Sequence, residues 1–279
     1  MKLIVDSTAD LNPKIADKVT VVPLTIFFGD EEFVDGVTLS HQQFYEKLVE
    51  NDTLPTTSQV PPETFREAFQ QVVDRGEEAV VLTVSSHLSG TYQSARIAAE
   101  EFPGKIFVVD SQSVAIGSGI LAELAVGWME EGLDATTVAA RLCEERKKVR
   151  LLALLDTLEY LKRGGRISKT VAFAGGLLSI KPVVCIQDGK IEILGKARGS
   201  RQGNNLLIQE IQASGGVDFS KPLLLGYTGL SDVLLQKYIQ DSSALWEDKV
   251  SSLPITVVGS TVGTHAGPGA IAVAFFAEN

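Results

Sequence analysis

Short apolar runs alternate along the first half of this chain with stretches whose apolar residues recur every third or fourth position. The runs "KLIVD", "VTVVPLTIFF", "AVVLTV" and "KIFVVD" read as buried strands, and "FREAFQQVVD", "ARIAAEEF" and "LAELAVGWMEE" as amphipathic helices. This alternation predicts an α/β unit over residues 1–150, a parallel sheet with helices on both faces. After the first strand, Ser7, Thr8 and Asp10 are placed to cap a helix beginning near Pro13. "GDEEFVDG", flanked by β-rich runs, predicts a hairpin inserted among the early elements.

Past residue 150 the rhythm changes. A strand "RLLALL", a short helix "TLEYLKRGG", a glycine-broken apolar stretch "VAFAGGLLSI" and a hairpin "KPVVCIQDGKIEIL" turning at "DGK" follow one another. Next come a helix from about Ser200 to Ser214, the strand "PLLLGYT", a helix after Gly229, the strand "ITVVG", and a closing loop and strand. Mixed strand pairing makes residues 151–279 an α+β domain with a mixed sheet. No repeat or long linker separates the halves, so two tightly packed domains with a cleft between them are expected.

Composition narrows the function more than the fold. The 279 residues carry a net charge of −10, which argues against nucleic acid and against stable adsorption to an anionic membrane. The charge is uneven: residues 141–169 hold nine Lys or Arg against four Asp or Glu, a local +5 on a body of −15. Such a patch suits one specific partner or anion, or is a solvated helical face. No apolar run reaches membrane-spanning length and the start is unlike a signal peptide, so a cytoplasmic protein is expected. Cys143 and Cys185 fall in a helix and a strand and read as small apolar residues.

In open α/β sheets ligands sit beyond the carboxyl ends of strands. Four loops near such ends are rich in hydroxyls: "DSTAD", "TTSQ" (Thr56 to Gln59), "SSHLSGTYQSA" (Ser85 to Ala95) and "DSQS" (Asp110 to Ser113). Each can bind an anion or cap a helix, and the third, with Ser89 and the backbone of Gly90, offers more than a cap requires. The loops lack lysine and arginine, and no GxxxxGK[ST] or GxGxxG pattern occurs, which disfavours a nucleotide. Neutral hydroxyls with His265, in "GTHAGPG", suit a carboxylate better. Three histidines without ligand spacing and cysteines without a CxxC partner give no metal site. Two alternatives stay open at this point. One is a serine hydrolase with Ser89 as nucleophile, His265 as base and Asp6 or Asp110 as orienter, although the GxSxG elbow is missing. The other is a binding module for a small carboxylate.

Taken in order, "DSTADL", "TSQ", "SSHLSGTYQSA", "DS" after a strand, "LEYLKRGGRIS", "IKP" with "DGKI", and "GTHAGPGA" resemble the DegV family of bacterial fatty-acid-binding proteins, from Val5 to Ala270. The resemblance implies a long-chain fatty acid held in a tunnel, with no other cofactor, in a protein that is not itself an enzyme. It further implies that the carboxylate is presented to a separate ATP-binding subunit of fatty acid kinase, with only transient membrane contact. Carried over by motif, Thr57 and Ser58 of "TSQ", Ser89 and Gly90 of "LSGT", and His265 hold the carboxylate. Arg166 of "KRGGRIS" matches a position at the ligand mouth that works with the kinase subunit. Tunnel lining is expected from Phe173, Gly176, Leu177 and Ile180. A sixteen-carbon tail is worth on the order of 10 kcal/mol at about 0.8 kcal/mol per CH₂, so the head needs only modest contacts. One departure is "TSQVP" where the family often reads "TSQPS", which removes a serine cap from the next helix.

Overall fold

The computed structural model describes residues 1–51, 53–167 and 180–278. Strands β1 (Lys2–Asp6), β2 (Val19–Val22), β6 (Ala79–Thr83) and β7 (Ile106–Asp110) form a parallel sheet in the order β2-β1-β6-β7. Every residue of β6 is buried, as expected for a strand covered on both faces. On one face lie α2 (Pro62–Val73) and α3 (Thr91–Ala99), which pack Phe65, Phe69 and Ala95 with Ile4 and Val81. On the other lie α4 (Ala115–Glu130) and α5 (Ala135–Glu145), packed on Leu3, Val5, Val80 and Leu82.

The second sheet is mixed, in the order β10-β9-β8-β13-β11-β12. It comprises β8 (Val149–Leu154), β9 (Ile180–Gln187), β10 (Lys190–Arg198), β11 (Leu224–Tyr227), β12 (Ile255–Val257) and β13 (Ile271–Phe276), antiparallel except for β11 with β12. One face carries Leu152, Leu154, Val273 and Phe275 against α7 (Gly199–Ala213) and α8 (Val233–Asp241) with the short α9 (Ser243–Trp246). The opposite face meets α4, whose core cluster joins Leu3 and Leu82 of the first sheet to Leu151, Leu224 and Phe276 of the second. This explains why α4 is buried nearly all round: it is the filling between two sheets.

A third, antiparallel sheet joins β3 (Thr25–Phe28) to β4 (Glu31–Val34) as the expected hairpin and adds β5 (Thr56–Ser58) on its other side. Its core is built with α1 (His41–Glu50), through Ile26, Phe28, Phe44, Tyr45 and Leu48. Two short helices, α6 (Glu159–Arg163) and α10 (Ser260–Ala266), pack on each other, and α10 also touches α1, β3 and β5.

Three expectations need correction. "VTVVPLTIFF" is two strands in different sheets, broken at Pro23. No α-helix starts near Pro13; the chain makes only a 3₁₀ turn at Ala16–Lys18, and Asp10 caps a different helix altogether. The closing segment is not a loop, because His265 sits in the last turn of α10. The missing serine cap proves harmless: α2 begins at Pro62, a residue suited to a first turn, after an extended Pro61.

Candidate functional site

On its α4-facing side the mixed sheet carries a row of small residues. The pairings Ala153↔Ala272 and Gly226↔Ala272 place three of them side by side, with Val184 paired to Ala153. One row further into the molecule the sheet is filled by Leu151, Ala274 and Leu224, part of the main core. The small row therefore leaves space that the larger row closes. That space is a cavity of about 980 Å³, part of it open to solvent, lined almost wholly by apolar atoms. Val114 and Ala115, at the start of α4, and Leu24, Val84 and Leu88 supply walls from the first half of the chain.

Distant parts of the chain bring polar residues to this cavity. Thr57, Ser58, Ser89, Arg166 and His265 all line it. Thr57 comes from β5, Ser89 from the loop before α3, Arg166 from just past α6, and His265 from α10. Thr57 Oγ1 and His265 Nε2 are 2.9 Å apart although 208 residues separate them in sequence. Ser89 Oγ bonds Thr91 Oγ1 at 2.9 Å and accepts from the Thr91 N–H. Arg166 donates to the carbonyls of Leu88, at 3.2 Å, and Gly164, at 2.6 Å, which ties the α6 end of the site to the Ser89 loop.

Not every expected residue lies here. Gly90 is the N-cap of α3 and is absent from the lining; a side chain there would run into Gln59, itself a lining residue that donates to Ser94. Ile180, half-buried at the start of β9, is also absent from the lining. Phe173, Gly176 and Leu177 lie outside the described residues. Conversely, Gln59 and Gly164 were missed as site residues, though both stand inside the motifs "TTSQ" and "KRGGRIS". Gly164 has a plain reason to be glycine, since a Cβ there would strike His265 Nδ1.

Burial, and secondarily the charge of Arg166, push His265 down to a pKa of about 4. At neutral pH the imidazole is therefore uncharged and exchanges one hydrogen bond with Thr57. Its Nδ1 is buried and has no hydrogen-bond partner among the described residues. A catalytic triad is not assembled: His265 pairs with Thr57 rather than Ser89. Asp6 and Asp110 are engaged elsewhere, with Thr8 and Val84 and with Ser86 and Gln112. Among the described residues no cluster of three or more His, Cys, Asp or Glu could hold a metal ion, and no helix is long and apolar enough to cross a membrane. Much of the basic stretch is locally paired, with Lys147, Lys148 and Arg163 bonded to Glu144, Glu145 and Glu159.

The depressed pKa has a measurable sign. Between the ordinary histidine value and about 4 the unfolded chain binds a proton that the folded protein refuses, so this group costs stability as pH falls through that window. Denaturant titrations at pH 4 and pH 7 should show a smaller pH-dependent loss for His265→Gln than for the unaltered protein, and equal losses would refute the assignment.

The profile of the DegV family, described as uncharacterised proteins, matches residues 1–278. A DegV domain-containing protein of Clostridium perfringens is 30% identical over 283 residues, covering 100% of this chain and 99% of its own. One from Deinococcus radiodurans is 32% identical over 278 residues, covering 98% and 96%. Among solved structures, a fatty-acid-binding DegV family protein from Thermus thermophilus superposes with a TM-score of 0.87 at 31% identity, covering 99% of both chains. A stearic-acid-binding protein from Eubacterium ventriosum gives 0.87 at 27% identity, covering 98% and 97%. The fold alone is shared with a Streptococcus pneumoniae fatty acid kinase B3 protein loaded with linoleic acid, with a TM-score of 0.86, 24% identity and 99% coverage of both chains.

Proposed function

The chain belongs to the DegV family, and we propose that it binds a long-chain fatty acid and presents the carboxylate to a separate ATP-dependent kinase subunit. The observation that carries this reading is one cavity, lined almost wholly by apolar atoms, whose lining also includes Thr57, Ser58, Ser89 and His265, with Thr57 and His265 2.9 Å apart. A tail buried there gains roughly 0.8 kcal/mol per CH₂, which supplies affinity without strong polar contacts. The head rests on Thr57, Ser58, Ser89 and His265, with Arg166 at the mouth, where neutral donors orient a carboxylate without neutralising it.

That distinction matters for the reaction. A carboxylate oxygen attacks the γ-phosphorus of ATP, the new O–P bond forms, the bond to the bridging oxygen breaks, and ADP leaves. No proton has to move, so the binding protein needs no base; its contribution is orientation. Nucleotide, magnesium and electrostatic stabilisation belong to the partner, consistent with the absence of a phosphate-cradling motif in this sequence.

The first test is to purify the protein from bacteria, denature it and examine the organic extract by mass spectrometry. A stoichiometric long-chain fatty acid is expected, and an empty or polar extract would overturn the reading. With a kinase subunit and ATP, Ser89→Ala and Thr57→Val should each slow acyl phosphate formation by about tenfold or more, the usual consequence of losing a hydrogen bond to a charged group. Unchanged rates in both variants would remove these residues from the role. Turnover of an activated ester that is lost in Ser89→Ala would favour the hydrolase instead.

A further inference from the structure

Helix α10, which carries His265, is seven residues long, and its N-cap Gly259 offers no side chain to satisfy the first-turn N–H groups. Two N–H groups at this end, those of Gly259 and Thr261, are met from the other end of the sequence. The Gly259 N–H donates to Asp10 Oδ1 at 2.6 Å. Thr261 donates to Asp35 Oδ2 twice, from its backbone N–H at 3.3 Å and from its hydroxyl at 2.6 Å. Ser7 donates to the same Asp35 oxygen at 2.9 Å and accepts from the Leu24 N–H at 3.0 Å. Asp10 and Asp35 are both buried. Gly259 leaves room for this: a Cβ there would crowd both Asp10 Oδ1, at 3.1 Å, and His41 Nε2, at 3.2 Å.

The topology gives this contact a consequence. Asp35 directly follows β4, and Thr57 lies on β5, the two strands flanking β3 in one sheet. The same three-stranded sheet therefore grips α10 at both ends, through Asp35 at Thr261 and through Thr57 at His265. With a rise of about 1.5 Å per residue, those grips are roughly 6 Å apart on a rigid body, so a shift at one is delivered to the other. Burial raises the Asp10 carboxyl well above the usual carboxylate range, and its hold on the helix is the hydrogen bond from the Gly259 N–H. Glycine at 263 lets the helix lie directly on Phe44 and Tyr45, so no thick side-chain layer cushions the movement.

We propose that Asp35, with Asp10 in support, is a positioning residue for the carboxylate site: it sets the place of His265 relative to Thr57 by clamping the N-terminus of α10. The proposal rests on the fatty acid reading for its ligand but not for its geometry. Its test uses delipidated full-length protein and compares palmitate with methyl palmitate, which share a tail and differ at the head. Asp35→Asn and the near-isosteric Thr261→Val should weaken palmitate by about tenfold and leave the ester within about twofold, a selective loss that general destabilisation does not produce. In a His265→Ala background, Asp35→Asn should add little further loss of palmitate. Equal weakening of acid and ester, or no weakening of either, would overturn the proposal. A readout without lipid separates the two claims: the ¹⁵N and ¹H resonances of the His265 ring, bonded to Thr57, should move in both variants. Unmoved resonances defeat the clamp even if fatty acid binds, and moved resonances uphold it even if the unaltered protein binds no fatty acid.

Discussion

Ala272→Leu should deprive the protein of sixteen- and eighteen-carbon ligands while leaving it folded. Ala272 occupies the middle of the small row, hydrogen-bonded through its strand to Ala153 on one side and Gly226 on the other, and it lines the cavity. Three added carbons there project into space rather than into packed neighbours, so the usual cost of overfilling a core is small and the ligand-free protein should not melt lower. The ligand bears the effect. If the block excludes about six methylenes, the lost burial is about 5 kcal/mol, three to four orders of magnitude in affinity. Calorimetry of delipidated protein with acids of eight to eighteen carbons should show the long chains collapsing toward the affinity of the short ones. Sixteen-carbon binding at unaltered strength would place the tail somewhere other than beneath this row.

Strand and helix rhythms were readable because burial against a sheet face imposes them locally, so β1, β6, β7, the hairpins and α7 appear where their patterns put them. Helix α1 escaped notice despite a complete capping box between Ser40 and Gln43, a signal that the flanking hairpin overshadowed. The chemistry of "DSTADL" was readable but its partners were not. Ser7 and Asp10 are capping-type residues, but Asp10 accepts from the Gly259 N–H at the start of a helix 249 residues further on, and Ser7 bonds Asp35, which holds that same helix, rather than the next turn of chain. Side-chain type reports that a donor or acceptor must be matched; only tertiary packing decides which one. The same holds for the cavity, whose small row exists only in the cross-strand register of β8, β13 and β11. Nothing in the separate strings "RLLALL", "GYT" and "AIAVAFF" reveals that Ala153, Gly226 and Ala272 lie abreast.

A single methyl group at residue 164 should disable the head of the site as effectively as removing the histidine. Gly164 closes α6 with an ordinary right-handed backbone, φ −68° and ψ −11°, so alanine fits the chain there without strain. Taken alone, glycine to alanine in such a conformation stabilises a protein by roughly 0.4–1 kcal/mol, through the unfolded state. Here the added carbon collides with His265 Nδ1, and the ring, wedged between Gly164 and Thr57, cannot keep its 2.9 Å contact. Losing a hydrogen bond to a charged ligand costs about 1.5–3 kcal/mol, so palmitate affinity should fall by about tenfold to a hundredfold. The double variant separates collision from any other cause. With His265 already replaced by alanine there is no ring to displace, so Gly164→Ala should then leave palmitate binding unchanged and raise the melting temperature slightly. A full additive loss in the double variant would mean that Gly164 serves the ligand by some route other than the space it leaves for His265.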